Sequence, residues 1–320
     1  MHFAYAPRKT SNPPPYAARS PKSQYLRRSR LQLLGLVAAG ALFSIWLLST
    51  LFRSSSTRKI PTGTPPVVLV TTIDRRASPA SIANILDNRK DYAFRHGYAT
   101  FFTNTSDYDL GVPPAPDSWS KVPALRHAMT LYPHSTFFFY LSQNALIMNP
   151  SLSLERHVLG PARLESLMIV DKPVVPPDSV IKTFSHLKGD RIDLVITQDG
   201  EGLSQESFIL RRGDWAKYFL DSWFDPLYRS YNFQKAEGHA LEHLVQWHGT
   251  VLAKLALIPQ RTINSYSRDS SNNKDGTYHE GDFVANFHGC NRDGNRNCEK
   301  EMAPLMTRWR EIRDSGTRRV

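Results

Sequence analysis

The sequence predicts an α/β fold, a mixed sheet flanked by helices, carried behind a single membrane-spanning helix. Three observations predict it. From residue 67 onward, short apolar runs of strand character alternate with stretches of helical spacing. Leu31 to Phe52 is a run of 22 residues without a charge. At 1.5 Å per residue such a helix reaches about 33 Å, enough to cross a bilayer. The basic excess lies ahead of the folded part: residues 1–66 hold ten of the 40 bases and none of the 29 acids. Residues 67–320 therefore carry 30 bases against 29 acids, and a nucleic-acid footprint is not supported there.

Residues 1–30 are rich in Pro, Ser, Tyr and Arg and lack apolar periodicity, so they read as a disordered basic tail. Seven bases precede the apolar run 31–52, which places residues 1–30 in the cytosol and the remainder in the lumen. A cleaved signal peptide is the alternative, but such segments are shorter and lie nearer the N-terminus. Residues 53–66 (RSSSTRKIPTGTPP) form a stem of Ser, Thr and Pro, and residues 67–320 form the lumenal domain.

The domain opens with the strand Val67 to Ile73, ending at Asp74. Ser81 to Arg95 has helical spacing and stops at His96-Gly97. Strand Tyr98 to Thr103, helix Ser120 to Tyr132 and strand Thr136 to Leu141 follow, and Ala145 to Met148 reads as the apolar continuation of the last. Leu194 to Thr197 and Ser207 to Leu210 read as short strands. Asp214 caps a helix through Trp223, and Gly238 to Trp247 is a further helix. Asp282 to Phe287 is a late strand and Cys298 to Ile312 a terminal helix. Strands alternating with helices imply a largely parallel sheet with ligands at the strand C-terminal ends. Asp74 then sits where a carboxylate contacts a nucleotide base or ribose, or is simply an edge acid. No G-x-G-x-x-G or G-x-x-x-x-G-K-[ST] occurs, which argues against dinucleotide and P-loop chemistry.

The two cysteines, Cys290 and Cys298, lie on the lumenal side. In an oxidising compartment they read as a disulfide closing a small loop, with two buried free thiols as the alternative. Asn104-Thr105-Ser106 is a glycosylation sequon. His239 and His243 share a helical face, but no third ligand stands near them, so packing or surface roles outweigh a zinc site.

Several motifs narrow the chemistry: SWSKVPALRHAM (Ser118 to Met129), YLSQNALIMNPSLSL (Tyr140 to Leu154) and EGLSQESFILRRGDWAKYFLDSW (Glu201 to Trp223). HALEHLVQWH (His239 to His248), PQRTINSY (Pro259 to Tyr266), GDFVANFHGC (Gly281 to Cys290) and CEKEM (Cys298 to Met302) complete the set. Together, in order from about residue 67 to 310, they resemble glycosyltransferase family 34. That family covers fungal Golgi α-1,6-mannosyltransferase subunits, α-1,2-galactosyltransferases and plant xyloglucan xylosyltransferases. The ALIMNP and ALEHLVQWH segments look most like the fungal α-1,6-mannosyltransferase branch.

The resemblance implies a GT-A type, Rossmann-like sheet that holds a sugar nucleotide. It implies transfer of mannose from GDP-mannose, in α-1,6 linkage and with retention, to an N-glycan or mannan oligosaccharide acceptor. UDP-galactose is the alternative donor. The setting it implies is the Golgi membrane, with other mannosyltransferase subunits as partners. The nucleotide sugar falls to Asp74, Lys121, Arg126, Ser142, Gln143 and Asn144, and the catalytic roles to Glu237 and Gln205. The family's Asp-x-Asp triplet, which holds manganese against the diphosphate, falls on Ser142-Gln143-Asn144, without either carboxylate. Its late metal-binding His falls on Asn286, with His288 two positions on along the same strand face. Asn144 and His288 are the residual metal candidates. A basic position after the Gly-Cys falls on Asn291, beside Arg292. Three readings follow: a weakened manganese site, a metal-independent site in which Lys121, Arg126, Arg211 or Arg212 carries the diphosphate charge, or a catalytically weak or inactive subunit of a mannosyltransferase complex.

Overall fold

The structure, a computed structural model, describes residues 21–52, 60–111, 115–175, 179–231, 233–268, 274–291 and 294–317. The expected tail over residues 1–20, the stem residues 53–59 and Arg292 lie outside the described residues. The chain divides into two units, Met1–Ile60 and Pro61–Val320.

The first unit contains helix α1 (Pro21–Phe52). Residues 21–30 are thus helical, which corrects their assignment to a disordered tail. Pro21 is tolerated at the first helical position, and no Gly or Pro interrupts the chain from there to the apolar run. Among the described residues this is the one helix long and apolar enough to cross a membrane.

Among its described residues the second unit contains nine strands: β1 (Val67–Ile73), β2 (Ala99–Asn104), β3 (Phe137–Leu141), β4 (Ala145–Ile147), β5 (Leu194–Gln198), β6 (Leu203–Arg211), β7 (Leu255–Ile258), β8 (Ser265–Tyr266) and β9 (Val284–Asn286). Its helices are α2 (Pro79–His96), α3 (Lys121–Leu131), α4 (Pro161–Leu167), α5 (Asp214–Trp223), α6 (Pro226–Ser230), α7 (Glu237–Trp247), α8 (Gly249–Leu252) and α9 (Cys298–Thr317). Six strands form one sheet in the order β2-β1-β3-β6-β5-β7, and three form a second in the order β4-β9-β8. The expected mixed sheet flanked by helices is what the chain adopts. Strands β2, β1 and β3 run parallel, as do β5 and β7, while β6 lies antiparallel between β3 and β5.

Apart from the edge strand β2, the strands of the large sheet are buried on both faces, which is why they read as apolar runs. Side chains alternate between two cores. Val68, Val70, Phe138 and Tyr140 join one with residues of α3, α5 and α7, while Val67, Leu69, Phe139 and Leu141 join the other with Tyr92 and Ala93 of α2. Each such fully buried apolar side chain contributes about 1.5–3 kcal/mol. A third core, with Leu146, Met148, Phe287, Met302, Met306 and Trp309, lies between the small sheet and α9.

Helix α2 has clear boundaries. The Ser78 side chain accepts from the Ser81 amide, Pro79 occupies the first turn, and Gly97 ends it at φ 66°, a conformation that favours glycine. Strand β4 departs from expectation. It pairs antiparallel with β9 rather than continuing β3, so the chain changes sheets at Ser142-Gln143-Asn144. Strand β7 was not anticipated, because four apolar residues after a short helix carry no period that separates helix from strand.

The sheet change is fastened from α2. Asn88 donates to the Ile147 carbonyl and accepts from the Ile147 amide, both at 2.9 Å and fully buried. Arg89, 0% exposed, donates to the carbonyls of Ser142 at 3.0 Å and Ala145 at 2.7 Å. Asn88→Ala leaves two buried main-chain groups unpaired, so the unfolding free energy should fall by about 2–4 kcal/mol. Urea unfolding followed by circular dichroism measures it.

Candidate active site

Strands β1 and β3 end side by side, and Thr72, Asp74 and the turn Ser142-Gln143-Asn144 therefore open onto one place. A cleft of about 580 Å³ lies there, at the C-terminal ends of the parallel strands, where α/β sheets bind ligands. Its other walls come from residues 116–121, residues 234–237 ahead of and at the start of α7, and residues 286–291 after β9.

The β1 side of the cleft is a carboxylate cluster with its cation. Gln143 Oε1 accepts the Asp74 amide at 2.7 Å, tying the triplet to the end of β1. Arg76 grips Asp74 through Nε and Nη2 at 2.8–3.0 Å and reaches Asp117 at 3.2 Å. The Arg76 side-chain hydrogen bonds hold the Asp74 carboxyl below the usual carboxylate range, against the opposing effect of partial burial. The Arg76 amide also donates to Asp74 Oδ1, an Asx-type turn that fixes this geometry locally.

The opposite wall holds a buried ion pair. Lys121 Nζ lies 2.9 Å from Glu237 Oε1, with both side chains only 4% exposed. Ser118 Oγ donates to Glu237 Oε2 at 2.6 Å, and Gln205 Nε2 reaches Oε1 at 3.5 Å. Burial pushes the Lys121 amine down, but the Glu237 and Glu206 carboxylates outweigh it and raise it above the ordinary value. Glu237 is aimed by Ala236, which sits at φ 44° and ψ −120°. A side-chain-bearing residue rarely adopts that conformation, at a cost of about 1–3 kcal/mol, and such strain concentrates at functional sites.

Of the residues singled out from sequence, the cleft gathers Asp74, Lys121, Ser142, Gln143, Asn144, Glu237 and His288. Gln205 lies behind Glu237, lining a smaller adjoining hollow with Glu206, Lys235 and Glu242. Arg126 is not brought to the cleft. It projects from the outer side of α3 into an exposed pair with Asp221. Arg211 and Arg212 lie at the other end of β6, donating to the carbonyls of Asp190, Gly189 and Ser135. Sequence reasoning missed Arg76 and Lys235 as cleft cations, and it missed Arg89 beneath the triplet. The two-residue offset of Arg76 from Asp74 was a usable signal for the first. Asn104 carries its sequon at the end of β2, where its amide contacts Asp107. A disulfide joins Cys290 to Cys298, tying the 286–291 wall to the start of α9.

The galactosyl transferase GMA12/MNN10 family matches residues 63–298. The chain belongs to that family. Among its relatives, a Schizosaccharomyces pombe protein named "Uncharacterized alpha-1,2-galactosyltransferase C8D2.17" is 33% identical over 216 residues, 67% of this chain and 64% of its own length. A Saccharomyces cerevisiae protein named "Probable alpha-1,6-mannosyltransferase MNN10" is 30% identical over 241 residues, 69% of this chain and 58% of its own length. The chain thus spans less than two thirds of the length of these relatives. Among solved structures, a glycosyltransferase involved in the glycosylation of the major capsid of PBCV-1 superposes with a TM-score of 0.49 at 7% identity, over 76% of this chain and 100% of its own.

The residues of this family member at the triplet do not fit manganese. A hard divalent cation takes carboxylate oxygens, and the turn offers a hydroxyl and two amides, with Asn286 beside it. Among the described residues no group of three or more His, Cys, Asp or Glu side chains is arranged to hold a metal ion. His288 does not substitute: its ring stacks on Tyr266 at 4.7 Å, and its Nε2 faces Glu201 at 3.9 Å.

The Lys121–Glu237 pair yields a stability test. Lys121→Met strands a buried carboxylate and should lower the unfolding free energy by about 3–5 kcal/mol. Lys121→Met combined with Glu237→Gln removes both charges and should recover most of that loss in the same denaturation experiment.

Proposed function

We propose that this protein transfers a hexose from a nucleotide sugar to a saccharide acceptor, in α linkage with retention of configuration. The observation that carries the proposal is the cleft at the ends of β1 and β3, with Asp74 on one wall and the buried Glu237–Lys121 pair on the other. UDP-galactose is the first donor reading, supported by the family's description and by the relative named as a galactosyltransferase at 33% identity. GDP-mannose with an α-1,6 product is the second, supported by the relative named as a mannosyltransferase over 69% of the chain. The sequence reading put mannose first; the comparisons favour galactose.

In this proposal Asp74 and Thr72 receive the nucleoside end, and the Glu237 carboxylate with Ser118 orients the hydroxyls of the transferred sugar. Lys121 holds the Glu237 side chain in place. Gln205 touches Glu237 rather than the cleft floor, so it acts as a positioning residue. Glu237 is enclosed and its carboxylate accepts from Ser118, Lys121 and Gln205, which suits orientation better than attack on the anomeric carbon. Retention is then served by same-face delivery. The bond from the anomeric carbon to the diphosphate oxygen breaks, the acceptor hydroxyl oxygen bonds to that carbon, and its proton passes to the departing diphosphate. Helix α1 serves as the signal anchor of a type II Golgi membrane protein, with residues 67–320 in the lumen and other transferase subunits as partners.

The test is hexose transfer by the full-length chain in detergent, offered UDP-galactose or GDP-mannose with a mannose oligosaccharide, the product linkage being read by NMR. Transfer from UDP-galactose is expected, and Glu237→Gln should lower kcat/KM by about 100-fold or more. No transfer from either donor would replace the enzyme with a subunit that acts through assembly.

A further inference from the structure

Arg89 poses a problem of charge balance. Its guanidinium is fully buried, and every partner it has is neutral: Asn88 Oδ1 at 2.5 Å and the carbonyls of Ser142 and Ala145. Its Nε has no partner, and no carboxylate forms an ion pair with it among the described residues. Burial lowers its pKa to about 9, so it stays protonated near neutral pH. A buried charge without a counterion is costly, and an anion bound close by would lower that cost. One turn of backbone separates this charge from the cleft, because Ser142, whose carbonyl it binds, lines the cleft floor.

A second observation places a hydroxyl-bearing ligand, such as the sugar or ribose end of the donor, beside the same spot. Asn286, 0% exposed, stands opposite Ala145 in the small sheet and lines the cleft. Its amide donates to Asn264 at 2.7 Å, while its Oδ1 has no partner. A bound molecule that supplies a hydroxyl would satisfy it. On the cleft wall Lys235, whose Nζ contacts the Glu201 carbonyl at 2.5 Å, adds a second positive charge. A divalent cation over the turn would face Arg89 with no carboxylate in the triplet to offset the repulsion. An anion in the same position gains from both charges.

We propose that the diphosphate of the nucleotide sugar seats over the Ser142-Gln143-Asn144 turn without a divalent cation, its charge balanced by Arg89 from behind the turn and by Lys235 from the cleft wall. The proposal rests on the nucleotide-sugar reading above and adds how that donor is held. Two of the cations weighed from sequence, Arg211 and Arg212, lie too far off to serve, and Arg126 faces away.

Calorimetric titration of the full-length chain with UDP and with GDP, each in EDTA and in excess manganese, decides it. The nucleotide that binds should do so with Kd values within about threefold in the two buffers, since the turn at 142–144 offers no carboxylate to a metal. Ser142→Asp with Asn144→Asp sets two negative charges against the diphosphate, so binding in EDTA should weaken by about tenfold or more and recover in manganese. Wild-type binding that needs manganese overturns the inference and leaves the proposed function standing. Unchanged binding of the double variant in EDTA also overturns it, because the diphosphate then lies elsewhere. Binding of neither nucleotide in either buffer removes the donor reading itself.

Discussion

The structure turns on how α2 grips the chain where it leaves one sheet for the other. Strand β3 ends inside the six-stranded sheet and β4 begins the three-stranded one, with only residues 142–144 between them. Asn88 fixes the far side of this turn through Ile147, and Arg89 fixes both shoulders through the carbonyls of Ser142 and Ala145. Two adjacent residues on one buried helical turn therefore fasten both sides of the sheet change. The turn they hold lines the cleft.

The walls follow from the direction of the strands. Parallel β1 and β3 deliver Asp74 and Ser142 to the same edge, and antiparallel β6 returns Gln205 and Glu206 to it from the opposite direction. Helices α3 and α7 cover the same face of the large sheet and meet through Lys121 and Glu237, which are 116 residues apart in the chain. That pair links two helices as well as shaping the pocket. The strained Ala236 is tolerable because the segment on either side is anchored, with Trp223 donating to the Glu237 carbonyl at 2.9 Å.

Much of this was legible in the residues. Strand β1 coincides with its expected span, and α2 stops where Gly97 said it would. What escaped was three-dimensional in origin. An apolar run broken by three polar residues looks the same whether the strand resumes or changes sheet, so β4 read as a continuation of β3. Arg126 is five residues after Lys121, which on an α-helix rotates it about 140° away, so a motif containing both could not deliver both to one cleft. Arg89 was hidden for a different reason. Its helix reads as an ordinary amphipathic one, and nothing in the spacing marks a charged residue on the buried side. Residues that act through main-chain contacts far along the sequence leave no local pattern.

Arg89 binds only main-chain oxygens of the turn, and the Asn88 contacts to Ile147 are likewise to backbone atoms. The support from α2 is therefore indifferent to the side chains at positions 142 and 144, while Gln143 ties the turn to β1 through its own side chain. Carboxylates, amides or hydroxyls at positions 142 and 144 can replace one another without loosening the frame that presents them. A fold built this way can exchange its ligand chemistry at one turn while the rest of the molecule registers no change, which makes this turn a natural point of divergence among proteins that share the scaffold.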